Sequence, residues 1–262
     1  MMKRYTALRL IALAGPLLLC CNSRAEQPSQ EAIAGFNKYV GAIESRLAAQ
    51  HRKSTSFIAL TRTSAQTEAR LRGGELVVEN LTPTKADLPG ATIYHWRGTA
   101  FVAGATVADF ERLMRDFPAY PRIYSPQVVS SRVLSQNGDH YQVAMRVKQK
   151  HIITVVMDTN YDVEFAQLDA RHGWSTSRST GIDEIEDGRV LSPADQHGFL
   201  WRLNTYWTFE QRNGGLYMQI ESVSLTRSIP TGLGWAVEPF VQSVPRESLE
   251  FTLRATRDAL RK

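Results

Sequence analysis

The stretch from Leu200 to Thr226 limits this chain more than any other. It reads as two long strands, Leu200–Phe209 and Leu216–Thr226, folded back on each other at Asn213-Gly214, the dipeptide that two-residue hairpin turns select. With the turn placed there, pairing counts back as Phe209 with Met218, Trp207 with Ile220, Thr205 with Ser222, Leu203 with Ser224 and Trp201 with Thr226. Side chains alternate across a strand, so these residues share one face, apolar and bulky on one strand, apolar to small-hydroxyl on the other. The step from Trp207 down to Ser222 and Ser224 leaves room on that face. A cavity beneath a covering helix and a core filled by that helix both satisfy it. The opposite face carries Arg202, Asn204, Tyr206, Thr208 and Glu210 against Leu225, Val223, Glu221, Gln219 and Tyr217, with Tyr206 and Glu221 as cross-strand neighbours.

A hairpin needs further strands and a cover before it is stable, and the rest of the chain supplies both. Strands are predicted at Ile93–Val102, Val128–Leu134, Tyr141–Val147, Ile152–Phe165 and Trp174–Ile185, the second and third joined by Asn137-Gly138. Strand signals also occur at Phe57–Leu60, Ala69–Leu71 and Leu76–Val78, the last two flanking Gly73-Gly74. Ile33, Phe36, Val40, Ile43 and Leu47 recur at helical spacing and predict an amphipathic helix ending near His51, packed across a sheet or over a cavity mouth. Thr106 is the N-cap of a short helix that ends before Pro118, and an irregular aromatic segment follows to Pro126. A terminal helix is predicted from about Pro245, with Leu249, Leu253, Thr256 and Leu260 as its buried stripe. This order implies an α+β protein in which one curved antiparallel sheet wraps a long C-terminal helix.

The formal net charge of +5 would point to a polyanion partner were it spread over the domain. It is not. Lys3, Arg4 and Arg9 precede an apolar run of 12 residues, Leu10–Cys21, and Ser23-Arg24-Ala25 places small residues at a cleavage site, the pattern of a secretory signal peptide over residues 1–25. The run is too short to span a membrane, which takes about 20 residues, and no later segment approaches that length. Removing the leader leaves 27 basic against 26 acidic residues, so nucleic acid is not an expected partner. Both cysteines, Cys20 and Cys21, go with it, leaving no disulfide or thiolate. The expectation is an exported, periplasmic or secreted protein. Lipid anchoring through Cys20 or Cys21 is the alternative, although Leu17-Leu18-Leu19 lacks the small residue usual before a lipidated cysteine.

Three features together resemble the START-like (SRPBCC; helix-grip, polyketide cyclase and lipid-transport) superfamily: the strand order, the aromatic Pro118–Pro126 segment after a short helix, and the run from Leu225-Thr226-Arg227 through Gly232-Leu233-Gly234-Trp235 into a terminal helix. The resemblance covers roughly Ile93 to Lys262, which sets a START-like domain at 91–262 and leaves 26–90 as an N-terminal extension of a helix and extra strands at the sheet edge. It implies a helix-grip fold around a cavity that in relatives holds lipids, sterols, aromatic polyketides or plant hormones.

No catalytic motif stands out. His51, His95, His140, His151, His172 and His197 never fall at a metal-binding spacing, each reads as a surface or strand-end histidine, and no metal or other cofactor is implied. No nucleophile elbow occurs, and Gly232-x-Gly234 reads as a hinge at the cavity mouth more readily than as an anion cradle. The expected cavity lining is Trp201, Leu203, Thr205, Trp207, Met218, Ile220, Ser222, Ser224 and Trp235, the last with Pro239 and Phe240 either gating the cavity or anchoring the helix. Arg202, Tyr206, Glu221 and Arg227 are possible polar contacts if twist or a bulge turns them inward; otherwise they form a solvated ladder on the convex face. Three functions follow: a non-enzymatic carrier of a hydrophobic small molecule or lipid, a cyclase- or aromatase-like enzyme using Arg202 or Tyr206, and an envelope interaction domain with a filled core.

Overall fold

The structure, a computed structural model, describes residues 27–60, 65–150, 154–228 and 234–261, with 56 and 234–242 described by backbone alone. The leader, Gly232 and the side chain of Trp235 therefore lie outside the described residues. Helix α1 (Gln30–Gln50) starts at Ser29, whose hydroxyl accepts the Ala32 N–H at 3.0 Å. Its buried stripe is Ala32, Phe36, Val40, Ile43 and Leu47.

The next segment departs from expectation. Phe57–Leu60 forms no strand, and Ala69–Leu71 lies within a helix, α2 (Ala65–Arg72), built mostly of straight-chain helix formers. Gly73-Gly74 ends that helix instead of turning a hairpin: Gly74 takes φ +89°, and the N–H groups of Gly73 and Glu75 bond back to the carbonyls of Ala69 and Arg70.

The remaining elements are β1 (Val77–Asn80), β2 (Asp87–Leu88), β3 (Ala91–Ala103), α3 (Val107–Arg115), α4 (Tyr120–Ile123), β4 (Val128–Asn137), β5 (His140–Lys150), β6 (Thr154–Asp169), β7 (His172–Glu186), β8 (Arg189–Val190), β9 (Arg202–Arg212), β10 (Gly215–Arg227) and α5 (Gly234–Leu260). Thr106 and Asp109 form a capping box on α3. The segment after Pro118, expected to be irregular, is a short 3-10 turn followed by α4. The strands form one antiparallel sheet in the order β1-β3-β10-β9-β7-β6-β5-β4, with β2 beside β3 and β8 beside β7. Among the described residues no helix is long and apolar enough to cross a membrane.

The β9–β10 register pairs Phe209 with Met218, Trp207 with Ile220, Thr205 with Ser222 and Leu203 with Ser224. One pair fails. Strand β9 begins at Arg202, Trp201 gives its backbone N–H to the Leu225 carbonyl, and its indole turns to the far side of the sheet.

Helix α5 begins at Gly234, well before Pro245, and lies across the inner face against β3 and β10. A glycine permits the approach. A Cβ on Gly98 would stand 2.5 Å from Leu249 Cδ2 and 3.0 Å from Leu253 Cδ2, so β3 and α5 meet where no side chain intervenes. Gly98→Val is expected to lift the helix and destabilise the fold by about 1–3 kcal/mol; an unchanged urea midpoint would contradict that reading.

Candidate functional site

Under α5 the sheet encloses a cavity of about 490 Å³, within the range of sites that take small organic molecules. At one end the α3–α4 segment closes it with Met114, Phe117, Tyr120 and Tyr124, joined by Phe165 and Trp207 from the sheet. At the other end it is bounded by Gln127, Gln149, Val155, Phe199, Leu200, Val244 and Pro245, and Phe199 there is 41% exposed. The wall between is mostly apolar: Met145, Val147, Met157, Tyr161, Val163, Leu203, Ile220, Leu249 and Phe251. Serines and threonines of β7, β9 and β10, with Ser248 and Thr252 of α5, add hydroxyls to it. Every side chain in the described lining is uncharged.

The lining tyrosines are held as neutral phenols. Burial pushes Tyr124 and Tyr161 up to about 12 and raises Tyr120 well above the ordinary phenol value. Two of their hydroxyls are committed to the protein, Tyr120 donating to the Met114 carbonyl at 2.6 Å and Tyr124 bonding Thr256 Oγ1 at 3.0 Å. The part of this lining contributed by β5, β6, β7 and α4 was not assigned from the sequence. Its signal was present in Val155, Met157, Tyr161, Val163 and Phe165, which fall at odd positions of one strand and share one face.

Six of the residues assigned to the cavity from sequence line it: Leu203, Thr205, Trp207, Ile220, Ser222 and Ser224, together with Thr226. Met218 is buried in the same core without reaching the cavity wall. Trp201 packs on the opposite face among Phe36, Ile93, Val223 and Leu225, because it precedes the regular alternation of β9. The side chain of Trp235 is not described.

The four polar candidates stay out of the lining, since the β9–β10 register runs without a bulge and nothing turns them inward. The face they occupy is not a solvated ladder either: α1 covers it, leaving Tyr206 and Glu221 each 2% exposed. Glu221 Oε2 meets Arg46 Nη2 at 2.5 Å and His95 Nε2 at 3.0 Å, and His95 Nδ1 meets the Tyr39 hydroxyl at 2.9 Å. Burial alone would raise the Glu221 carboxyl, but the His95 hydrogen bond and the Arg46 charge overcome it and hold the group at about 2. Tyr206 donates to Glu44, which also binds Arg178, while Arg202 donates to the Trp201 carbonyl. The Arg227 backbone N–H bonds the Gly198 carbonyl at the end of β10.

Each histidine was expected at the surface or at a strand end; His172 does begin β7 but is buried, and His51 and His95 are buried away from strand ends. His51 stacks on Trp174 at 4.7 Å and shares a hydrogen bond with Thr208 Oγ1, and burial lowers its pKa to about 4. Among the described residues no cluster of histidine and carboxylate side chains could hold a metal ion.

A curved antiparallel sheet closed over a cavity by one long C-terminal helix decides the architecture. The fold is a helix-grip fold. Solved structures similar to it include TTHA0849 from Thermus thermophilus, at 16% identity and a TM-score of 0.47 over 63% of this chain and 94% of that one. A STAR-related lipid transfer protein fragment from Xanthomonas axonopodis is similar at 21% identity and a TM-score of 0.44 over 67% and 96%. The Zhui aromatase/cyclase from Streptomyces sp. R1128 is similar at 14% identity and a TM-score of 0.42 over 64% and 93%. No family model and no curated protein matches the sequence. The helix-grip domain here differs from a bare sheet-and-helix in its second cover, α1, which buries the outer face.

Proposed function

We propose that this protein is an exported carrier that holds a hydrophobic small molecule or lipid in the cavity between the sheet and α5. The observation that carries the reading is the cavity itself, about 490 Å³ of open space with an uncharged, mostly apolar lining. Removing apolar ligand surface from water would supply the affinity, at about 25 cal/mol per Å². The volume counts against the filled-core reading. The cyclase reading placed Arg202 or Tyr206 beside the substrate, and neither belongs to the lining. Export rests on the leader-like residues 1–25.

Native mass spectrometry of protein purified from the cell envelope is expected to show a co-purifying apolar species, and stripped protein is expected to take up the neutral fluorophore N-phenylnaphthylamine. Ser222→Phe, which projects a ring into the cavity, is expected to abolish uptake while far-UV circular dichroism stays unchanged. A protein that is empty as isolated and binds neither dye nor extracted lipid would remove the proposal.

A further inference from the structure

One wall of the cavity differs from the rest, and its chemistry defines the ligand more narrowly. The register sets Ser177 of β7, Thr205 of β9 and Ser222 of β10 side by side across three adjacent strands. Ser175 lies two residues along β7, and Ser224 and Thr226 continue the same face of β10. All six line the cavity, and none of their hydroxyls has a hydrogen-bond partner among the described residues. Thr226 is the sharpest case: the residue is 7% exposed and its Oγ1 is buried with nothing to bond. Ser179, the next serine along β7, behaves differently and accepts the Leu203 N–H at 2.9 Å. Hydroxyls left unpaired against a packed wall are costly unless something inside the space bonds them, so this strip is built to be satisfied by an occupant.

We infer that the ligand is an uncharged apolar molecule carrying a hydroxyl or keto group, which docks on the shelf formed by Ser177, Thr205 and Ser222. The inference rests on the carrier reading above. A serine or threonine hydroxyl both donates and accepts, so the shelf can bond a carbonyl oxygen or a hydroxyl. A carboxylate or phosphate is disfavoured: the described lining offers no cation, and a charge moved there from water has no counter-charge. A hydrocarbon without a polar group fills the same space but leaves the shelf unpaired. The polar group of the ligand therefore fixes its direction, with the apolar body toward Trp207, Phe165 and Met157.

Two matched probe sets test this by displacement of bound N-phenylnaphthylamine: decane, decanol and decanoate on a linear skeleton, and fluorene, fluorenol and fluorene carboxylate on a ring skeleton. In at least one set the alcohol is expected to bind about ten-fold tighter than the hydrocarbon and the carboxylate. In the variant Ser177→Ala/Thr205→Val/Ser222→Ala the ratio of alcohol to hydrocarbon affinity is expected to fall from about ten toward one. A merely structural role would weaken all probes alike. Because these hydroxyls bond nothing in the protein, their removal leaves the fold intact, and Ser222→Ala alone, checked by its melting curve, gives a smaller shift in the same direction. Equal binding of alcohol and hydrocarbon, a preference for the carboxylate, or a variant that keeps the alcohol preference overturns the shelf while dye binding leaves the carrier reading standing. A protein that takes up no dye overturns both.

Discussion

Glu221→Gln is expected to cost this protein about 3–5 kcal/mol, the usual loss when one partner of a buried ion pair is removed and its counter-charges stay behind. The residue is 2% exposed, and one of its oxygens serves both Arg46 and His95. The other oxygen faces the Arg97 guanidinium at 3.7 Å, an ion pair without a hydrogen bond. The amide keeps the shape and removes the charge, so His95 and Arg46 lose their partner beneath α1. The same residue sets an acid limit. Its folded pKa of about 2 lies below the ordinary value of 4.5, so its contribution is complete above pH 4.5. That contribution declines as the pH falls toward 2, because the unfolded chain takes up the proton first. Over that window the shift corresponds to roughly 3 kcal/mol. Urea titrations at neutral pH and at steps between pH 5 and pH 2 are the measurement. The wild type should lose stability across that interval more steeply than Glu221→Gln. Equal stability at neutral pH, or parallel acid slopes, would show that the cluster does not hold α1 to the sheet. Dye uptake by the folded variant should persist, since the sheet separates Glu221 from the cavity.

The same cluster shows where sequence stops being informative. The register of β9 and β10 was legible because Asn213-Gly214 fixes the turn and alternation then fixes each pair back to Arg202 and Leu225, including the neighbours Tyr206 and Glu221. What alternation cannot tell is which layer covers each face. Arg202, Asn204, Tyr206, Thr208 and Glu210 look like a solvated stripe, yet α1 turns the central ones into buried polar groups, and Tyr206 and Thr208 find their partners in Glu44 and His51, far away in sequence. Local composition carries no trace of a partner supplied from elsewhere in the chain. Gly73-Gly74 misled for a related reason: a glycine pair between apolar residues fits a hairpin turn and a helix C-terminus equally, and only the helix formers before it separate the two. For the cavity, one strand pair was enough to place Leu203, Thr205, Trp207, Ile220, Ser222 and Ser224, while the contributions of β5, β6 and α4 depend on how far the sheet curls. Curvature arises from twist summed over many strands and is not encoded in any one of them.

Two leucines one turn apart on α5 separate the role of the core from that of the cavity. Leu249 lines the cavity and Leu253 does not, although both are buried and both rest on Gly98 of β3. Leu253→Ala is expected to cost about 3–5 kcal/mol, because the residue is fully buried and the void left behind is closed off on every side. Leu249→Ala opens into space that is already empty, so its cost falls toward the transfer term alone, about 2–3 kcal/mol. An apolar ligand distinguishes them. N-phenylnaphthylamine at saturating concentration stabilises any variant that binds it, by mass action on the folded state. With Leu249→Ala the enlarged cavity also gains contact with the dye, so part of the lost stability should return. With Leu253→Ala the ligand cannot reach the new void, and the deficit relative to wild type should stay constant whether or not dye is present. Thermal melts of the three proteins with and without dye decide it. Equal recovery in both variants would mean that the cavity extends past Leu253. Recovery in neither would mean that the dye does not lie against α5, and binding would then have to be sought outside the helix-grip cavity.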